Sequence, residues 1–401
     1  MEKRILHIDV NNAFLSWSAV DRLKHGDKLD LRTIPAIIGG DESKRRGIVV
    51  AKSNIAKQFG IKTGEPIYIA RKKCPSIITI PANHALYKKY SDNLYKLFCE
   101  YTDKIERFSI DECFLDLTEF IKPGEDVLKI AIEIKERVKR ELGFTVNIGI
   151  SDDKILAKMA SDFEKPDKIH TLFKNEIEYK MWNLPISELF KVGKKSLGKL
   201  DKLGIKTIGD LAKKDERFMI KHFGKYGFMI WSYANGNSNE EVNYKESRPK
   251  GIGNSITLPY DMVSLEDLNP VLVRLSEQVS YRLRKENMVA SVVNVQLKNN
   301  KFEVYSHQKK LSNRTDSSKE ITKAAKELLE ELYKGDKIRL IGIRVDGLSE
   351  KDEIQLSLFD VSEESKDKKI DKTIDLLKEK FGYSMIKKAS EIKIEDKQIK
   401  Q

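Results

Sequence analysis

The sequence predicts an α+β chain of several domains, on three observations. Short apolar, strand-like runs alternate with amphipathic helical stretches through residues 1–178. A glycine-turned helical stretch occupies 179–234. After a polar stretch, residues 254–348 read in the order β-α-β-β-α-β, which implies a four-stranded sheet with two helices on one face.

Taken in order, residues 4–9 read as a buried strand and 13–23 as the helix after it, with Phe14, Trp17 and Val20 along one stripe. Residues 34–38 and 47–51 are short strands joined by a polar, basic turn, and 53–58 is a helix that stops before Gly60. The helical pattern over 87–101 turns Tyr90, Leu94, Leu97 and Phe98 inward. A strand pair around Ile105 and Phe114 precedes a helix over 126–140, a strand over 144–150 and a helix over 153–162. Lys165-Pro166 marks a boundary, because the residue before proline disfavours helix. Within 179–234, the run Val192-Gly193-Lys194-Lys195-Ser196 opens a helix from a glycine turn. Leu203-Gly204-Ile205 through Leu211 then repeats a short helix, turn and short helix. Backbone N–H groups at Gly193, Lys194 and Lys195 can hold a DNA phosphate, and a packed αα-hairpin with solvated lysines reads equally well. Residues 235–253 read as a linker. Beyond it come a strand (254–258), a helix (270–285), strands over 289–298 and 301–311, a helix (318–332) and a strand (337–345). The tail, 349–401, carries a helical pattern over 373–381.

Composition narrows the function. A chain of 401 residues with 40% apolar residues and ten prolines has enough apolar mass for real cores. A net charge of +12 favours a polyanionic partner. Cys74, Cys99 and Cys113 lack metal-site or disulfide spacing, which suits a reducing cytoplasm. No run of 18 apolar residues occurs, so no membrane association is expected.

Three acids carry the chemistry. Asp9 ends the opening apolar run, and Asp111 and Glu112 lie side by side in the strand-prone stretch Phe108-Ser109-Ile110-Asp111-Glu112-Cys113-Phe114-Leu115-Asp116. Carboxylates at the ends of neighbouring strands are a common way to hold two Mg²⁺ ions against a nucleoside triphosphate. On residue type alone, adjacent acids can equally cap a turn.

Asp9-Val10-Asn11-Asn12-Ala13-Phe14 together with Ser109-Ile110-Asp111-Glu112 resembles the paired catalytic motifs of the Y-family (translesion) DNA polymerases, and the resemblance covers nearly the whole chain. It implies a right-hand architecture: a palm over 1–178 with fingers inserted at about 25–80, a helix-hairpin-helix thumb over 179–234, the linker, and a little finger over 254–348. It implies Asp9, Asp111 and Glu112 as catalytic residues on two Mg²⁺ ions, with the carbonyl of Val10 as a backbone ligand. Phe14 falls where the family keeps a ring beneath the sugar of the incoming deoxynucleotide. Asn54 and Lys57 stand where relatives carry tyrosine and arginine on the triphosphate, so Lys57 keeps charge but loses the bidentate fork. Lys165 matches a palm lysine on the β and γ phosphates, with Lys158 beside it, and Ile48 and Val50 match residues over the templating base. In the helix-hairpin-helix, Lys191 replaces the first glycine. Arg282, Arg314, Lys337 and Arg339 are candidate contacts for duplex phosphates. Gln355-Leu356-Ser357-Leu358-Phe359-Asp360 resembles the peptide by which bacterial proteins bind the sliding clamp, through Gln355, Leu356, Leu358 and Phe359.

The implied activity is templated, low-fidelity DNA synthesis without proofreading, by a monomer acting on primer–template DNA and deoxynucleoside triphosphates. The alternatives are untemplated nucleotidyl transfer on a palm-like sheet and a DNA-binding accessory protein with weak or degenerate polymerase activity. The departures at Asn54 and Lys57 favour the second of these and the intact acids oppose it.

Overall fold

The structure, a computed structural model, describes residues 3–42, 45, 47–121, 126–245, 248–351 and 364–382, with the side chains of 364–368 left aside. The chain divides into two compact units, residues 1–40 with 48–246, and 41–47 with 247–401.

The first unit is built on a five-stranded sheet. Its elements run β1 (Ile5–Val10), α1 (Ala13–Lys24), β2 (Ala36–Gly39), β3 (Val49–Lys52), α2 (Asn54–Gln58), α3 (Ile67–Lys73), β4 (Ile78–Pro81), α4 (His84–Phe98), β5 (Ile105–Arg107), β6 (Glu112–Asp116), α5 (Val127–Arg137), β7 (Val146–Ser151), α6 (Lys154–Asp162) and β8 (Ile169–Thr171). The main sheet has the order β5-β6-β1-β7-β8, with β1 central and antiparallel to both neighbours. A separate small sheet, β3-β2-β4, carries α2 and α3. The helix expected to end at Arg140 stops at Arg137 and runs through one wider turn, Val138–Leu142, to Gly143 in the left-handed region (φ 85°). Sequence periodicity did not reveal α3, β4 and β8, because each is too short to show a clear period.

Alternation along β1 sorts its side chains onto two faces. Leu6, Ile8 and Val10 join Leu15, Trp17, Tyr90 and Phe98 in the main core. Ile5, His7 and Asp9 face α6, where Ile5 packs with Phe114 and Ala157. Helix α6 lies very close to the sheet at Gly149 of β7. A Cβ there would stand 1.9 Å from the Ala157 carbonyl oxygen and 2.5 Å from the Ser161 nitrogen, both backbone atoms.

Helices α7 (Ile177–Lys180), α8 (Lys194–Lys202), α9 (Ile208–Ala212), α10 (Glu216–Phe223) and α11 (Lys225–Ala234) complete this unit around their own core, with Leu200, Ile208, Leu211, Met219 and Ile230 buried. Gly204 turns between α8 and α9 at φ 70°.

The second unit runs β9 (Gly251–Met262), α12 (Leu265–Lys285), β10 (Met288–Asn299), β11 (Val304–Thr315), α13 (Ser318–Leu332), β12 (Ile338–Asp346), β13 (Ser349–Glu350) and α14 (Glu364–Phe381). The sheet order is β11-β10-β12-β9, with α12 and α13 packed through Leu272, Leu275, Val279, Ile321 and Leu328. Several expectations shift here. The stretch read as linker to residue 253 already carries the start of β9 at Gly251. The helix expected to open at Pro270 begins at Leu265, because the Ser264 hydroxyl accepts the Asp267 N–H and caps it. Pro270 is therefore interior to the helix. Helix α14 is also longer than the stretch read from sequence.

The contact at Gly149 gives a direct stability prediction. Neither backbone partner of a new Cβ is a flexible side-chain tip, so Gly149→Ala should cost about 2–4 kcal/mol. Urea unfolding followed by circular dichroism measures it, and a loss below about 0.5 kcal/mol, the usual surface range, would mean that α6 is free to shift.

Candidate active site

Backbone pairing brings the acids together. Asp9 and Glu112 are direct cross-strand partners of β1 and β6, so their side chains share the face covered by α6. The Val10 N–H donates to the Asp111 carbonyl at 3.1 Å, which holds Asp111 at the same sheet end. Ser109 shapes the turn before β6: its oxygen accepts the N–H of Glu112 at 3.1 Å, and its hydroxyl donates to Asp111 Oδ1 at 2.6 Å. Ser109 therefore orients one of the three acids, a role its position between Phe108 and Ile110 did not announce.

Two lysines neutralise this group. Lys158 Nζ, from α6, lies 2.6 Å from Glu112 Oε1 and is buried over the rings of Phe108 and Phe190. Lys165 is ion-paired to Asp9 and lies 2.7 Å from Asp162. Burial pulls the Lys165 pKa down, but the Asp9 and Asp162 carboxylates outweigh it and hold the ammonium above its ordinary value. Burial pushes Asp9 up to about 6, with Glu112 and Asp111 adding to the rise and Lys165 opposing it. Burial, more than the neighbouring acids, thus disfavours the charged form of Asp9 even with Lys165 paired to it.

Beneath the acids sits His7, fully buried. The Ser161 hydroxyl donates to the Lys158 carbonyl at 2.8 Å, so its oxygen accepts from His7 Nδ1–H at 2.7 Å. Nε2 is left as a lone pair without a hydrogen-bond partner, 3.9 Å from Glu112 Oε1. Burial, then the nearby lysines, push the imidazole well below its usual pKa and keep it neutral.

Asn11 ties the Lys165 segment to the sheet. Its amide donates to Asn147 Oδ1 at 3.0 Å, and its oxygen accepts the Asp167 N–H at 2.9 Å. Asn147 in turn donates to the carbonyls of Ser161 and Glu164. Its neighbour Asn12, left-handed at φ 48°, immediately precedes α1 and donates to Asn54 Oδ1 at 3.1 Å. Asn54 and Lys57 are exposed three residues apart on α2. Lys52, which sequence reasoning passed over, lies near them: burial and then the charge of Lys57 lower its pKa. Phe14 is half-buried and stacked on Tyr87, with centroids 4.4 Å apart and planes at 7°. Ile48 is exposed and Val50 half-exposed, while Val49 between them is buried.

Lys191 takes the left-handed conformation (φ 70°) that glycine would adopt without strain. Lys191, Gly193, Lys194, Lys195, Ser196 and Lys199 line a cleft of about 500 Å³. In the second unit, Arg282 donates to the Gly253 carbonyl at 3.0 Å, Arg314 and Lys337 are exposed, and Arg339 stacks over Phe302. Residues 355–360, with Gln355, Leu356, Leu358 and Phe359, lie outside the described residues.

Hard carboxylate oxygens suit Mg²⁺, and the cross-strand placement of Asp9 and Glu112, with Asp111 beside them, offers such oxygens at one sheet end. Among the described residues no three acids stand within common metal-binding distance; Lys158 is paired with Glu112 and Lys165 with Asp9.

Comparison with known proteins finds matches along nearly the whole chain. The impB/mucB/samB family profile matches residues 8–162, and the profile of that family's C-terminal domain matches 249–358. DNA polymerase IV of Clostridium acetobutylicum is 44% identical over 99% of this chain and 100% of its own. DNA polymerase IV 1 of Bacillus subtilis is 34% identical over 99% and 95%. Among solved structures, a Y-family DNA polymerase chimera of Dbh and Dpo4 superposes with a TM-score of 0.77 at 25% identity, covering 86% of this chain and 99% of its own. DinB from Sulfolobus solfataricus gives 0.57 at 26% identity, covering 86% and 98%.

The raised pKa of Asp9 predicts a pH-dependent stability. Its folded value, about 6, lies above the unfolded value of 3.8, so the folded chain binds this proton more tightly. Stability is greatest below the unfolded value, falls as pH rises from about 4 to about 6, and stays low above that, a loss on the order of 2–3 kcal/mol at most. Urea midpoints between pH 4.5 and 7.5 should show this fall in the wild type and a flatter profile in Asp9→Asn. An unchanged slope in Asp9→Asn would assign the titration to another group.

Proposed function

The chain belongs to the Y-family of translesion DNA polymerases, with the DNA polymerase IV proteins among its relatives, and on that premise we propose how its residues divide the work. It is a template-directed DNA polymerase, a nucleotidyltransferase that extends a primer with deoxynucleoside triphosphates and replicates past damaged template bases. Its catalysis depends on Mg²⁺, as across this family.

Asp9, Asp111, Glu112 and the carbonyl of Val10 would hold two Mg²⁺ ions, Glu112 mainly the one beside the primer terminus. The observation that carries this reading is the cross-strand pairing of Asp9 with Glu112, with Asp111 tied to β1 by the Val10 N–H. When bound, the ions lower the pKa of the primer 3′-hydroxyl and offset charge on the triphosphate. Lys158 and Lys165 exchange their carboxylate partners for triphosphate oxygens as the substrate arrives. Lys57 adds charge to the same group, and Asn54 offers its amide N–H, since its oxygen is engaged by Asn12. Phe14, held flat against Tyr87, excludes a 2′-hydroxyl. Ile48 and Val50 form a small, apolar roof over the templating base, open enough for damaged bases.

Gly193, Lys194 and Lys195 grip one stretch of duplex backbone; Arg282, Arg314, Lys337 and Arg339 grip another. These contacts hold DNA without reading its sequence. Gln355, Leu356, Leu358 and Phe359 bind a bacterial sliding clamp. Support for that reading is positional: described anchors flank the peptide, Lys351 paired to Asp316 before it and Asp371 to Arg284 after it.

Single-nucleotide primer extension with Mg²⁺, on undamaged and abasic templates, tests the active site. Asp111→Ala with Glu112→Ala should lower kcat by at least about 10³-fold, a loss typical of removing electrostatic stabilisation, without weakening DNA binding. Residual activity near wild type would refute these acids as the metal site. In the same assay Phe14→Ala should raise ribonucleotide incorporation about tenfold or more, a single-contact discrimination. An unaltered sugar preference would return Phe14 to a packing role. Leu358→Ala with Phe359→Ala should abolish stimulation by added clamp while leaving clamp-free extension intact, and retained stimulation would reject the clamp reading.

A further inference from the structure

The turn between β10 and β11 holds an aromatic ring out into solvent on strained backbone. Phe302 is left-handed at φ 67° and 64% exposed. That conformation is unfavourable for a bulky side chain, and an exposed ring has no burial to offset it. Asn299, only 3% exposed, imposes the geometry. Its side-chain oxygen accepts the N–H groups of Lys301 and Glu303, each at 3.0 Å, and its amide donates to Glu303 Oε2 at 2.6 Å. The Phe302 N–H donates to the Asn299 carbonyl at 3.1 Å, and the Asn300 N–H ties the turn to the Lys337 carbonyl at 2.9 Å. Glycine at 302 would adopt this turn without strain, so the fold accounts for the backbone and leaves the ring unexplained.

The surroundings of the ring are cationic. The Arg339 guanidinium lies over one face of it, 5.0 Å from the centroid, which leaves the other face to solvent. Strand pairing sets what lies beside it. Leu297, Tyr305 and Ile341 belong to the core under the helices, so Lys298 and its cross-strand partners Val304 and Leu340 occupy the opposite face of the sheet. Val304 is 53% exposed, and Lys301 and Lys337 are exposed. Among the described residues, Lys298, Lys301, Lys337 and Arg339 have no carboxylate partner. The acids nearest in sequence are engaged elsewhere: Glu303 by Asn299, and Asp336 by the Tyr305 hydroxyl at 3.1 Å.

We infer that Phe302 is a stacking platform for an unpaired base of single-stranded DNA, with Lys298, Lys301 and Lys337 serving the phosphates on either side. The inference rests on the reading that Lys337 and Arg339 hold DNA backbone, and it adds an unpaired strand to the duplex contacts already assigned to them.

Three features select this ligand. The apolar surface is one ring beside two aliphatic side chains, too little for a protein partner but matched to the face of a base. Its frame is wholly cationic, which suits a phosphate-linked chain. A duplex hides its base faces inside the stack, so only an unpaired base can lie flat on a ring. Stacking of this kind accepts any base, as copying an arbitrary template requires. Arg339 behind the ring and Asn299 beneath the turn fix the platform before the strand arrives, so little freedom is lost on binding.

Fluorescence anisotropy with the full chain at fixed salt tests this, using two labelled strands of about a dozen nucleotides, one of thymidines and one abasic throughout. Their phosphates are alike, so any difference in affinity reports the bases. The wild type should bind the thymidine strand about fivefold or more tightly than the abasic one. Phe302→Gly should erase that preference and leave abasic binding unchanged, while its urea midpoint holds or rises because glycine relieves the left-handed backbone. Phe302→Trp should keep the preference. A wild type without preference, a glycine variant that retains it, or one that weakens both strands equally overturns the inference, the last because the ring would then only prop Arg339. A clear fall in the urea midpoint of Phe302→Gly also overturns it, since the ring would then be a packing residue. Arg339→Ala tests the underlying phosphate reading separately: it should weaken both strands alike and flatten the salt dependence. Unchanged binding in Arg339→Ala would end that reading for Arg339, while the variants at 302 still decide the stacking.

Discussion

The active end of the first unit depends on one close approach, that of α6 to the sheet at Gly149. Because β7 offers no side chain there, the α6 backbone lies almost against the strand, with the Ala157 carbonyl where a Cβ would stand. That depth brings Lys158 to Glu112 and Ser161 to His7. It also starts the following segment low enough for Lys165 to reach Asp9. Raising the helix by the thickness of a methyl group would lengthen each of these contacts together. A backbone contact therefore controls side-chain electrostatics.

The site itself is held under electrostatic tension. Two acids are direct cross-strand partners and a third lies beside them, partly removed from water. Folding accepts this because two lysines supply positive charge and because hydrogen bonds to Ser109 and Asn11 fix the backbone around the acids. A protein selected for stability alone would place apolar residues at these positions. The arrangement leaves Asp9 above the normal carboxylate range and His7 neutral, with an unused lone pair beneath Glu112.

Polar burial does a different job in the second unit. Its sheet and two long helices already share an apolar core. Arg284 lies outside that core and gathers Asp371, Asp375, the Asp316 carbonyl and Ser318 into one cluster, to which Lys351 also connects through Asp316. Satisfied charges of this kind fix orientation more than they add stability, and here they decide which side of α14 faces inward.

Much of this protein was legible in the sequence. Apolar periods of two and 3.6 located the long strands and helices, since those periods are local properties of the chain, and α13 over Ser318–Leu332 matches its expected range. The acids Asp9, Asp111 and Glu112 stood out through residue type and neighbouring pattern. Short elements such as β4 and β8 escaped because three or four residues carry no measurable period. The start of α12 was misplaced because Pro270 was read as a helix opening when the Ser264 cap had already set it. What only the tertiary structure decided were the partnerships: Glu112 with Lys158, 46 residues away, and Asp9 with Lys165, 156 residues away. The tautomer of His7 and the inward polar face of α14 belong to the same class. Composition gives each of these groups a charge or a donor, but its partner depends on strand register and helix depth, and those are set only when distant parts of the chain pack together.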